Sequence, residues 1–125
     1  MFLKQVIQTE NAPKPSGPYS QGVKSGAFIF VSGQDGGTSA GETIAEQTAA
    51  SLENIKHILA EKDATLADVV YVSCHLFDLT SENVQEFNYV YESYFKNVDV
   101  KPARITVGSQ LLGVKVEITA IASVS

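Results

Sequence analysis

From Val114 to Ser123 the chain alternates. Val114, Val116, Ile118, Ala120 and Ala122 are apolar, and Lys115, Glu117, Thr119, Ile121 and Ser123 fall between them. A period of two is a strand with one face on a core. Val69–Phe77 has the same period, with Val70, Val72, Cys74 and Leu76 on one side and Tyr71, Ser73, His75 and Phe77 on the other. Elsewhere the period lengthens. Ile44, Thr48, Leu52, Ile55 and Leu59 recur at helical spacing and predict a helix from about 43 to 61. Leu79-Thr80-Ser81-Glu82 then offers an N-cap and a first-turn acid to a second helix, which buries Val84, Phe87, Tyr91, Tyr94 and Phe95.

Gly and Pro cluster at Pro13–Pro18 and Gly33–Gly41 and divide the rest. Residues 2–8, Tyr19–Val23, Ala27–Ser32 and Ala103–Ser109 read as further strands, the middle two as a hairpin and the last joined to Val114–Ser123 by a Gln110–Gly113 turn. The order β-β-β-α-β-α-β-β predicts an α+β fold with both helices on one face of a mainly antiparallel sheet. At 125 residues the chain is one domain, spanning 1–125, and large enough to fold without a disulfide or metal staple.

Charge narrows the function classes. Nine Lys and Arg against fourteen Asp and Glu leave a net charge of −5, the reverse of a nucleic-acid footprint and no attraction to anionic lipid. The 18% charged fraction is low against about 25% for soluble domains, which hints that some surface is covered by other copies. Cys74 is the only cysteine, so an intrachain disulfide and multi-cysteine zinc sites are excluded. The first residues lack a signal-peptide core and no apolar run approaches a membrane span, so a soluble, cytoplasmic protein is expected. Cys74 is expected to be an inert buried thiol, and His57 a surface residue. His75 is expected to face the sheet's other side, with a pocket or interface role as the minor reading. The glycine-rich Gly33–Gly41 segment lacks a phosphate loop's lysine ending and reads as a strand-to-helix connection.

If the apolar residues of each late strand meet the helices, Ala103, Ile105 and Val107 face the core. Arg104 and Glu117 then share the uncovered face. Such a pair is either a cross-strand ion pair or the start of an anion pocket, since guanidinium grips a carboxylate bidentately.

Five stretches in register resemble the RidA (YjgF) family. They are Gly17-Pro18-Tyr19-Ser20-Gln21-Gly22, Val31-Ser32-Gly33-Gln34, Ser51-Leu52-Glu53-Asn54-Ile55, Asn88 with Tyr91 and Phe95, and Pro102–Gly108 followed by Val114–Ala122. The resemblance covers essentially the whole chain. It implies a chorismate-mutase-like fold, a homotrimer with sites between subunits, and cofactor-free, metal-free hydrolysis of 2-imino acids to 2-oxo acids and ammonia. Carried over by position, Arg104 binds the substrate carboxylate and Glu117 handles water and protons. Tyr19 closes the pocket, Ser32 and Gly33 line it, Asn88 contributes from the second helix, and Thr106 contributes its backbone N–H. The alternative is a non-enzymatic relative that binds small carboxylate metabolites as a sensor or regulatory partner. Ile105 and Thr106 stand where active members usually carry a small residue and Cys, the Gln110–Gly113 turn is shorter than usual, and Asp35-Gly36-Gly37 is more polar than usual. These departures bear on substrate range.

Overall fold

A computed structural model describes residues 3–124. The elements follow the expected order: β1 (Gln5–Ile7), β2 (Gly22–Ser25), β3 (Phe28–Gln34), α1 (Ile44–Ala60), β4 (Val69–Leu76), α2 (Ser81–Phe95), β5 (Ala103–Gly108) and β6 (Val116–Ser123). The strand expected over 2–8 is confined to β1, and its Phe2 lies outside the described residues.

One six-stranded sheet runs β1-β2-β3-β6-β4-β5. Every pair is antiparallel except β4 with β5. Parallel neighbours need a crossover, and α2 supplies it. The β2–β3 turn places Gly26 at φ 59, a left-handed conformation that a side chain resists.

Local chemistry fixes the helices. Thr43 caps α1 with a reciprocal box: its hydroxyl accepts from Glu46 N–H, and the Glu46 carboxylate accepts from Thr43 N–H. The Thr43 hydroxyl also donates to Glu46 Oε1 at 2.9 Å, and this bond, followed by that from Thr43 N–H, holds the Glu46 carboxyl below its ordinary pKa. Glu86 of α2 accepts from Ala45 N–H at 2.8 Å, setting a carboxylate at the positive end of α1. Thr80 caps α2 on Asn83 N–H.

Both helices cover the same face. Ile55, Ile58, Leu59, Phe87 and Phe95 meet Ile29, Val31, Val72, Leu76 and Ile118, all nearly inaccessible. Such a core contributes through removed apolar area, about 25 cal/mol per Å².

Two expectations about facing fail. An extra residue in β4 shifts its register against β6 between Val69 and Tyr71, so Val69 takes the core position and Val70 turns outward. The second failure is larger. Val72 pairs with Arg104 and Cys74 with Thr106 across the parallel ladder, and paired residues point to one side. Arg104 and Thr106 therefore share the helix-side face with buried Val72 and Cys74, while Ala103, Ile105 and Val107 share the open face with Tyr71, Ser73 and His75. Ile105, expected in the core, is 45% exposed. The open face is itself apolar, carrying Phe28, Phe30, Tyr71 and Ile105, so hydrophobicity alone could not set the phase of β5.

Among the described residues no helix is long and apolar enough to cross a membrane. Ile118, fully buried at the centre of the sheet, is the sharpest test of this packing. Ile118→Ala should lower the unfolding free energy by about 2–5 kcal/mol, read from the urea midpoint at unchanged slope.

Candidate functional site

The residues singled out from sequence divide into two groups on opposite faces of the sheet. The first sits where α2 overhangs edge strand β5. Arg104 Nη1 donates to Asn88 Oδ1 at 2.8 Å. Its guanidinium lies 4.7 Å from the Tyr91 ring centroid and 5.6 Å from that of Phe87. Phe87, Tyr91 and Phe95 recur every fourth residue of α2 and stack, with centroids 5.6 Å and 4.6 Å apart. Helical spacing thus builds an aromatic platform, and the platform holds a cation by its π face. One guanidinium donor is on Asn88, and four remain for a ligand. Beside Arg104 opens a cleft of ≈ 580 Å³ lined by Asn88, Tyr91, Glu92, Phe95, Lys96, Lys101 and Pro102.

Below this platform two hydroxyls, Tyr91 Oη and Thr106 Oγ1, are buried without a hydrogen-bond partner. Burial pushes the Tyr91 phenol up to about 12, with nearby Cys74 raising it further and Arg104 opposing. Cys74 is fully buried, and desolvation pushes its thiol up to about 12. The inert reading of that cysteine holds.

The second group is on the open face. β3 carries one extra residue against β6 between Val31 and Gln34, a bulge containing Ser32 and Gly33. The bulge brings the Gly33 backbone against the half-buried Glu117. A Cβ on Gly33 would lie 2.8 Å from Glu117 Oε2 and 3.0 Å from its carboxyl carbon, so any larger residue there would push the carboxylate out of this position. Ser32 ties this bulge to the segment bearing Tyr19: its Oγ donates to Ser20 O at 2.5 Å, and its N–H to Gln21 O at 2.9 Å. Tyr19, about half exposed, is held by Ser16, whose N–H donates to the phenol oxygen at 3.2 Å. The buried Gln21 amide anchors the same segment. Its Oε1 accepts from Thr9 N–H, and its Nε2 donates to the carbonyls of Thr9, Ala12 and Pro13.

The expected sharing of one face by Arg104 and Glu117 is therefore corrected. Arg104 pairs with Val72, and Glu117 with His75, on the two sides of β4. Within one chain the two groups are offset by about 10 Å along the strands and by two strand spacings across, with the sheet between them. They form no ion pair with each other.

His75 lies on the open face, its ring nitrogens on Ser73 Oγ at 2.9 Å and Ser109 Oγ at 2.7 Å. His57 sits 3.9 Å from Glu53 on the outer surface of α1. Among the described residues no group of three or more His, Cys, Asp or Glu could hold a metal ion. Sequence reasoning took Phe87 and Tyr91 as packing residues only. The available signal was Asn88 three residues before Tyr91, which sets an amide and a ring on one flank of a helix.

Two helices on one face of a mixed six-stranded sheet match the YjgF/RidA fold. The chain belongs to the endoribonuclease L-PSP family, which takes in the RidA, YjgF and RutC proteins and matches residues 9–124. It is 46% identical to a RutC family protein of Saccharolobus solfataricus, over 98% of this chain and all of that one. It is 47% identical to a RutC family protein of Pyrococcus abyssi, over 97% of this chain and 98% of that one. Among solved structures it resembles E. coli TdcF with bound serine, at 34% identity and a TM-score of 0.87 over 97% of this chain and 99% of that one. It also resembles the Rid protein YyfA of Yersinia pestis, at 34% identity and a TM-score of 0.89 over 98% and 100%.

The buried thiol gives a direct check. Cys74 should resist labelling by an aromatic disulfide at pH 8 in the folded protein and react fully in denaturant, because its thiolate forms only near pH 12 while folded. Fast labelling of the native chain would contradict the packing described.

Proposed function

We propose that the chain hydrolyses 2-imino acids to 2-oxo acids and ammonia, in clefts completed by a second copy of itself. The observation that carries this reading is the Arg104 guanidinium, fixed by Asn88 and the Tyr91 ring with four donors unspent. That is a carboxylate receptor. The neighbour solved with bound serine supports a ligand of amino-acid size.

The chemistry asks little more. The C2 carbon of an imine is already electrophilic, so neither a covalent nucleophile nor a metal is required. Arg104 fixes the carboxylate, which sets the position of C2. A water held by Glu117 attacks C2 and gives up a proton. The C–N bond then breaks, the nitrogen leaves as ammonia with the transferred protons, and the water oxygen remains as the 2-oxo group. Glu117 accepts and returns the proton. The Gly33 backbone keeps that carboxylate in place, Ser32 holds the bulge, and Tyr19 covers the site.

One copy cannot bring its own Glu117 to its own Arg104 through a sheet. The apolar open face supplies the means of assembly: Phe28, Phe30, Val70, Tyr71 and Ile105 are each close to half exposed, and a patch of this kind marks a contact. Three copies packed through these faces form the homotrimer. Each site then takes Arg104, Asn88 and Thr106 from one copy and Tyr19, Ser32, Gly33 and Glu117 from the next.

Arg104→Ala should abolish ammonia release from 2-iminobutanoate generated in situ by a dehydratase. Glu117→Gln should lower that rate at least tenfold while 2-oxobutanoate still binds. Both variants should sediment as trimers. Co-refolding the two inactive variants in equal amounts should restore about a quarter of wild-type activity, since each half-site is intact in one copy of two. No recovery would place both residues in the same copy's site. An inactive wild type that still binds 2-oxobutanoate would establish the metabolite-binding alternative.

A further inference from the structure

We infer that the Arg104 cleft takes a dianionic ligand, a 2-imino or 2-oxo acid with a second carboxylate on its side chain. The inference rests on the reading of Arg104 as the anchor for the first carboxylate. It follows from where the cations are. The chain carries only nine Lys and Arg against fourteen Asp and Glu, yet three of the nine, Lys96, Lys101 and Arg104, line this one cleft. Glu92 is the only acid lining it. Among the described residues the ion pairs are those of Glu53 with Lys56 and His57, so none of the three cleft cations is neutralised by a carboxylate.

The cations differ in use. Lys101 is held at the C-terminal end of α2, where its ammonium donates to the carbonyls of Phe95 and Val98. Carbonyls are neutral acceptors, so the charge stays whole, and one N–H of the three remains free. A lysine pinned in this way has already lost its rotamer freedom, which lowers the cost of binding a ligand. Lys96, at the C-cap of α2, is exposed and reaches the same cleft without a hydrogen-bonded partner. A monocarboxylate neutralises one of these charges. A second carboxylate on the ligand's side chain neutralises another, in a protein whose net charge otherwise repels anions.

The test compares 2-oxoglutarate with 2-oxopentanoate, which has the same carbon chain and a methyl in place of the second carboxylate. Isothermal titration of the intact protein at low salt should show 2-oxoglutarate binding about tenfold more tightly, about 1.4 kcal/mol. The gap should narrow as salt approaches 0.15 M, and again in Lys96→Gln, which removes an exposed charge and no structural contact. Equal affinity, tighter binding of 2-oxopentanoate, or a preference unmoved by both salt and Lys96→Gln would overturn the inference. Imine hydrolysis with equal affinities sinks this inference alone. A dicarboxylate preference without hydrolysis sinks the hydrolase reading alone.

Discussion

Because β5 runs parallel to β4 with Arg104 opposite Val72, the guanidinium rises on the side where α2 lies. That one register decides the character of the site. It brings Arg104 onto the Tyr91 ring and within reach of Asn88, and it leaves Ile105 facing outward with the aromatic residues of the open face. A slip of one residue would exchange the two sets, turning Thr106 to the open face and setting Arg104 beside Tyr71 and Ser73 of β4. The same pairing sets Arg104 and Glu117 on opposite faces of the sheet.

Most of the fold was legible in the order of residues, and the reasons are local. The Ile44–Leu59 spacing places α1 within a residue of its expected limits. Thr80, within the expected N-cap segment, caps α2, and Phe87, Tyr91 and Phe95 are its buried residues. Strand β6 alternates as expected because the core lies on one side of it along its whole length. The errors come from pairing, which no local pattern contains. Val70 turns outward through a bulge defined by its partner strand. In β5 both faces meet apolar surroundings, so alternation reveals the period but not the phase.

The candidate site was legible by residue and illegible by geometry. Gly33 and Glu117 are 84 positions apart, and only the bulge in β3 puts the glycine backbone against the carboxylate. Asn88 and Arg104 meet because α2 is the crossover between the two parallel strands. Such contacts follow from topology, so sequence could nominate the partners without joining them. The cationic character of the cleft was also hidden. Lys96 and Lys101 are unremarkable in a chain of negative net charge until the end of α2 gathers them beside Arg104.

Gln21 carries a consequence for the stretch of chain before β2. Its amide binds main-chain atoms of Thr9, Ala12 and Pro13 and no side chain of theirs. The path of that stretch is thus set in large part by a clamp that is blind to which residues it fastens. Glu10 and Asn11, both exposed, can vary in chemistry while that path stays fixed, whereas Ala12 is held to its small size by burial in the core.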